Sequence, residues 1–228
     1  PVIYGKRRIG GTRVFIATGP ATKTGNVDAN TYLYVCLVLC EGEINLIRND
    51  TGIYIDDELV SFTGTGATLT SGSGTRIGTR IKMQRFYGKD DGSDASGTIT
   101  HSTLLAEHPD WTSSHQLKGV AYLALRFEYD QDVFRSIPTV NAIVFGRKVY
   151  DPALSATTYS ANPALILRDY LTNERFGKGL PSSAIDDTSF TAAKNHLDTT
   201  TIEWDYETTT FSPYAFGCRI DTNKTVFN

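Results

Sequence analysis

Positive charge is in short supply. The chain carries 22 Lys and Arg against 25 Asp and Glu, a formal net charge of −3 over 228 residues. A dedicated nucleic-acid binder carries a basic excess, so that class is disfavoured. Cysteine is scarce as well, with only three residues. Cys36 and Cys40 fall four apart in an apolar run that reads as a strand. Their side chains are expected on one face, about 13 Å apart, which is beyond disulfide reach. Cys218 is left single. No disulfide framework is implied, and reduced thiols fit assembly in a cytosol. Long hydrophobic runs are missing too. The longest, "TYLYVCLVLCEGEI", is too short and too interrupted to span a membrane, and no signal peptide opens the sequence. Two glycosylation-type triplets, at 49–51 and 223–225, mean little without secretion.

Catalytic signatures are also lacking. There is no HExxH, no CxxC and no GxSxG. "RFGKGLPSS" invites comparison with a phosphate loop. However, Gly177 and Lys178 are followed by Gly179 rather than Ser or Thr, and no Gly stands at the required upstream offset. The segment also follows a helix instead of a strand. Gly177 as a left-handed helix terminator and Pro181 as a stop explain these letters without a ligand.

Glycine and aromatics are plentiful, with 20 Gly, 12 Tyr, 11 Phe and 2 Trp. That pairing suggests strands separated by tight turns. Residues 2–4 and 12–18 read as strands joined by a basic Gly turn. Residues 18–30 read as a polar loop, and 31–40 as a strand buried on both faces. "EINLIRN" and "GIYIDDELV" follow, the latter with a turn at Asp56-Asp57. Residues 61–78 are Gly/Ser/Thr-rich, a mobile loop or a weak edge hairpin. "TRIKMQRFYG" alternates as a strand does, and "STLLAEHPDW" fits a short helix capped by Ser102. "LKGVAYLALRFEYD" and "TVNAIVFGRKVYDP" read as the clearest β pair, forming the centre of the sheet. Asn162 and Pro163 open a helix with a stripe of Leu165, Ile166, Tyr170 and Leu171. Asp186 or Asp187 opens another, with Phe190, Ala193 and Leu197 on its apolar face. The fold class is therefore mainly β with a few short helices (α+β).

Several groups of polar residues were weighed as sites. His101, His108 and His115 recur every seven residues. On a helix they would lie about 10 Å apart, too far for one metal ion. Asp90, Asp91 and Asp94 lack the alternation and closing Glu of a calcium loop and read as a solvated turn. Glu41 with Glu43, and Asp130 with Asp132, are paired carboxylates of the kind hydrolases use, but both pairs fall at strand ends, where turns collect acids. Lys6, Arg7, Arg8 and Arg13 could meet phosphates or an acidic partner; a solvated turn is the simpler reading. No residue is assigned a catalytic, cofactor-binding or metal-binding role, no cofactor is expected, and the chain is not expected to be an enzyme.

Seven phrases, taken in order, carry a resemblance. They are "PVIYGKRRIGG", "YVCLVLCEGEI", "IYIDD", "LKGVAYLALRFEYD", "IPTVNAIVFGRKVYDP", "NPALILRDYLTNERFGKGLPSSAID" and "CRIDTNKTVFN". They resemble the hub region of phage tail tip proteins of the lambda tip attachment protein J type. The likeness covers most of the chain and is thinnest over 61–115. It implies phage tail hub-like β domains. Residues 1–60 and 116–160 would form a β-rich hub core, 61–115 a variable insertion, and 161–228 a helical segment leading into the next hub element. Both ends are expected to be cuts in a longer chain, with 223–228 starting a helix. The resemblance implies a homotrimer at the distal tail tip of a virion, assembled in the host cytoplasm. It would contact tail tube, tail tip and tape measure proteins, with passing DNA touched transiently. The host receptor would be reached through regions outside this sequence. Two alternatives remain: a tail-associated cell-wall or capsule hydrolase, and a carbohydrate-binding β module.

Overall fold

A computed structural model describes residues 1–19, 30–48, 50–199 and 217–220. In chain order its strands are β1 (Val2–Tyr4), β2 (Lys6–Gly10), β3 (Thr12–Gly19), β4 (Tyr32–Glu41), β5 (Ile44–Ile47), β6 (Ile53–Ile55), β7 (Glu58–Val60), β8 (Phe62–Thr63), β9 (Leu69–Ser71), β10 (Ile81–Tyr87), β11 (Val120–Glu128), β12 (Val140–Asp151), β13 (Ala156–Tyr159) and β14 (Cys218–Ile220). Two helices, α1 (Pro163–Thr172) and α2 (Asp187–Thr199), complete the set with two short 3-10 turns. The protein is mainly β. It divides into two compact units, one of residues 8–144 and one of residues 1–7 with 145–228. Residues 20–29 of the expected polar loop (18–30), the expected terminal helix (223–228) and both glycosylation-type asparagines lie outside the described residues, and Thr18 and Gly19 belong to β3.

The unit of residues 8–144 is organised by a six-stranded antiparallel sheet in the order β3-β4-β11-β10-β9-β8. The middle strand β11 is almost wholly buried. Its sequence, VAYLALRFE, is the near-continuous apolar run of a strand covered on both faces. One face carries an aromatic cluster of Tyr34, Cys36, Phe86, Leu105, Trp111, Tyr122 and Ala124, with Phe15 and Tyr32 at its margin. Phe86 stacks on Tyr122 with ring centroids 4.2 Å apart. The Tyr122 hydroxyl is buried without a hydrogen-bond partner, and burial raises its pKa.

Cys36 and Cys40 are both buried free thiols, and burial pushes each up to about 12. They do not share one regular strand face. The β4–β11 register slips at Cys40/Val38, a bulge that breaks the two-residue alternation, and only Cys36 joins the aromatic cluster.

The two long apolar strands expected to pair with each other do not. β11 pairs with β4 and β10, whereas Val140–Ala142 of β12 pairs with β6. Both have strong apolar patterns, but such patterns report burial and do not specify the partner. β6 and β7 form a hairpin through Asp56 and Asp57. Both have positive φ, 49° and 65°, as a type I′ turn requires. Asp56 also accepts from the Thr139 amide at 2.8 Å. The expected basic turn is in fact strand β2, in which Lys6, Arg7 and Arg8 are exposed and Ile9 is buried. The 61–78 stretch resolves as the edge hairpin β8–β9.

The segment expected to be a helix near Ser102 is only a 3-10 turn, Leu105–Glu107. Its cap position is Leu104 and not Ser102, although the Ser102 hydroxyl accepts from the Leu105 amide at 3.1 Å. The same hydroxyl donates to buried Gln84 at 2.8 Å. The side-chain amide of Gln84 donates to Thr68 and Thr103, at 2.7 and 2.8 Å. The segment is thus held by hydrogen bonds to Gln84 of β10.

In the other unit, Lys148–Asp151 of β12 pairs with β13, and β1 pairs with β14. Val2, Tyr4, Val149, Leu165 and Ile166 form its apolar cluster, with Phe176 packed against it. Helix α1 starts as its sequence indicates. The Asn162 side chain accepts from the Ala164 amide at 3.0 Å, and Pro163 takes the first position. The Tyr4 hydroxyl donates to Asp169, and Arg147 Nε donates to the same carboxylate at 3.1 Å.

Helix α2 is different. Asp186 caps it, accepting from the amides of Thr188 and Ser189. Residues 187–198 are all exposed or half-buried. Its inner face is Asp187, Phe190, Thr191, Lys194 and Leu197, and Ala193, expected inward, points to solvent.

Gly177 was expected to adopt left-handed backbone, but it does not. That geometry belongs to Gly179, with φ of 64°. Glycine is needed at 177 for another reason. A Cβ there would strike the Tyr170 carbonyl oxygen and lie 2.7 Å from that of Asn173. The loop folds back onto α1, with the Lys178 amide donating to Tyr170 O at 3.0 Å and that of Leu180 to Leu171 O at 2.9 Å.

Candidate functional site

The most distinctive surface in the 8–144 unit begins at β3, an outer strand of the six-stranded sheet. It runs eight residues and carries two exposed apolar side chains, Val14 at 52% and Ile16 at 44%. An outer strand offers one row of backbone donors and acceptors to a neighbour. Natural proteins usually blunt long apolar edges with proline or charge. Here Arg13 is the single charged residue, and a bulge at Val14 is the single irregularity.

The C-terminal end of β3 leads to a cleft of about 480 Å³, whose walls include Thr18, Tyr32, Phe127, Tyr129, Phe134 and Ile137. Phe127 and Phe134 meet edge to face at 5.7 Å and are both buried, forming the floor. Tyr129, 64% exposed, and Ile137, 47% exposed, stand at the mouth. Beside the cleft, the Arg126 guanidinium lies 4.3 Å from the Tyr32 ring centre and pairs with Glu107 at 2.5 Å. Glu107 also accepts from the Tyr34 hydroxyl at 3.3 Å. Burial and the neighbouring Glu107 push Tyr34 up to about 12. Cleft and edge together suit an apolar anchor or an added strand.

The paired carboxylates fall elsewhere. Asp130 receives Arg80 at 2.7 Å and the Asp132 amide at 3.0 Å. Desolvation pushes its carboxyl up, but these donors outweigh it and lower the pKa. A general acid needs the opposite shift. Glu41 and Glu43 flank Gly42, whose φ is 86°, at the end of β4.

The three histidines take three separate roles. His108 is buried against Phe15 and Tyr34, 5.8 and 5.7 Å between ring centres. His115 stacks on Trp111 at 4.8 Å, and His101 is half-buried. No cluster of three metal-ligating side chains occurs among the described residues.

Asp90 and Asp91 are exposed, but Asp94 is buried, so the loop is more than a solvated turn. Asp94 accepts from the amides of Thr98 and Ile99 and from the Ser96 hydroxyl. Its oxygens organise the loop itself. Of the basic cluster, Arg8 lies 3.9 Å from the Tyr54 ring centre and pairs with Asp57. Lys6 lies 5.7 Å from Phe145, Arg7 donates to Gly217 O at 3.4 Å, and Arg13 is exposed. Sequence reasoning did not find the cleft. Tyr129 reads as a strand end and Ile137 as a loop residue, and neither is periodic with its partners.

No family model matches the chain, and no curated protein matches it. Among solved structures, the chain is similar to one from the virion of a native gene transfer agent particle, at 18% identity and a TM-score of 0.39. The similarity covers 63% of this chain and 26% of that one. At that score and identity the likeness does not establish a shared fold.

Proposed function

We propose that this chain is a structural hub component of a phage tail tip, without enzymatic activity, working in host attachment and genome delivery. In this reading it assembles as a homotrimer at the distal end of the virion tail. Tail tube, tail tip and tape measure proteins are its partners. DNA passes it, and the receptor is engaged by other regions of the longer protein.

The observation that carries the reading is where the hub-like phrases fall. "YVCLVLCEGEI" and "LKGVAYLALRFEYD" form the two adjacent strands at the heart of the larger sheet. "NPALILRDYLTNERFGKGLPSS" forms α1 and the loop folded onto it. These stretches build framework, as expected for a part whose work is to be packed against neighbours. The β3 edge supplies a surface through which such packing can occur.

Light scattering on the chain, alone and with tail proteins, tests the reading. Association is the expected result, and Ile16→Lys is expected to abolish it while leaving the circular dichroism spectrum unchanged. A wild-type protein that stays monomeric under every condition argues against it. A carbohydrate-binding module is a second reading, favoured by the exposed Tyr129 at the cleft mouth. It requires glycan binding that Tyr129→Ala removes.

A further inference from the structure

Helices α1 and α2 pack against each other, yet by different means. α1 buries Ala164, Leu165, Ile166 and the side chain of Arg168. α2 contributes no fully buried residue between 187 and 198, and ion pairs and hydrogen bonds join it to the rest of its unit. Arg168 grips Asp187 with two bonds, Nε at 2.6 Å and Nη2 at 3.0 Å. Its guanidinium also lies over the Tyr150 ring at 4.7 Å. Two helical turns further on, Lys194 reaches Asp151 at 3.3 Å. Asn162 Nδ2 donates to Lys194 O at 3.2 Å and to Asp198 at 2.8 Å. Phe190 and Leu197 add only half-buried apolar surface.

The connection between the helices has a fixed part and a loose part. Up to Leu180 the loop is bonded back onto α1. From Pro181 onward the bonding changes. The amides of Ala184 and Ile185 donate to Pro181 O and Ser182 O, within the same short turn. Among the described residues, the Asp186 side chain bonds forward, to the first turn of α2. Residues 181–184 are all exposed.

We propose that α2 is a releasable helix, seated by charge and hinged at Pro181–Asp186, that leaves its seat without unfolding the rest of its unit. Release uncovers Arg168 and Asp151, a cation and an anion placed to receive the Asp187 and Lys194 of α2. The Arg168–Asp187 pair is open on the Asp187 side, 41% exposed, and weakens with salt, whereas the Lys194–Asp151 pair, 19% and 3% exposed, and apolar burial respond little. Salt therefore sets the open fraction. The stability of α2 is local and lies below that of the sheet strands.

Hydrogen exchange of the 228-residue chain, followed by mass spectrometry in low and high salt, tests this. In high salt the amides of α2 should exchange about fivefold faster, with those of β11 and α1 unchanged. At low salt, Asp187→Asn and Lys194→Ala should reproduce the acceleration, and Lys194→Arg should not. The wild-type salt arm does not depend on any variant folding. If α2 exchanges only at the rate of β11, or ignores both salt and the variants, the helix is an integral part of its unit and the proposal fails.

Discussion

The larger sheet and the α2 seat are two solutions to the same problem, holding an element in place. In the sheet, β11 is covered on both faces and its buried charged residue, Arg126, is an exception lying against the Tyr32 ring. At α2 the charged residues are the main contact and the apolar ones are the margin. Burial is strong and indifferent to salt; ion pairs with one open partner are weak and tunable. The contrast is between an element fixed by burial and one seated by charge. A pair of matched truncations breaks it most directly. Phe86→Ala removes a fully buried ring stacked on Tyr122 and should cost about 4 kcal/mol. Phe190→Ala removes a half-buried ring from α2 and should cost about 1 kcal/mol. Urea unfolding of both variants measures the difference. Equal costs would erase the distinction between the two regions.

Ion pairs sharpen the same contrast. Glu107 and Arg126 have side chains 29% and 10% exposed. Removing the acid leaves a guanidinium under the Tyr32 ring with no counter-charge. Glu107→Ala should therefore destabilise by about 3 kcal/mol. It should also remove one acceptor from the Tyr34 hydroxyl and lower its titration, with burial still holding it above the ordinary tyrosine value. Asp187 is 41% exposed on its side chain, against 7% for Arg168. Arg168 still has the Asp169 carboxylate nearby when Asp187 is gone, so Asp187→Ala should cost about 1 kcal/mol or less. Chemical denaturation, with ultraviolet titration of the tyrosines for the first variant, checks both values.

Much of this architecture could be read from residue order, because local chemistry dictates it. Asn162-Pro163 sets the start of α1, Asp56-Asp57 sets the β6–β7 turn, and the alternation of "IKMQRFY" sets β10. Long-range pairing was less legible. β11 and β12 are both rich in apolar residues, and nothing in either string says that one joins β4 and the other β6. The bulge that separates Cys36 from Cys40 is an extra β4 residue, Leu39, left unmatched by β11, and the cysteines' own spacing does not show it. Asp94 looks like its exposed neighbours Asp90 and Asp91, and only the fold shows that backbone amides surround it. The β3 edge and the cleft were invisible for a related reason. A surface is defined by what the rest of the chain leaves uncovered, and no local pattern records that.

Gly177 and Gly179 give the finest test of the comparison, since they sit two residues apart and need glycine for different reasons. At 177 the constraint is space: the loop backbone lies against the Tyr170 carbonyl, and an added methyl has nowhere to go. At 179 the constraint is conformation: φ is 64°, while the nearest atom to an added Cβ is 3.5 Å away. Gly177→Ala should push the loop off α1 and cost about 2 kcal/mol. Gly179→Ala should cost about 1 kcal/mol through backbone strain alone. Gly179→Asn should recover part of that loss, because asparagine tolerates left-handed backbone, and Gly177→Asn should recover none. Thermal unfolding of the four variants separates the two mechanisms. Recovery by asparagine at 177 would mean that backbone conformation, not contact with α1, is what glycine provides there.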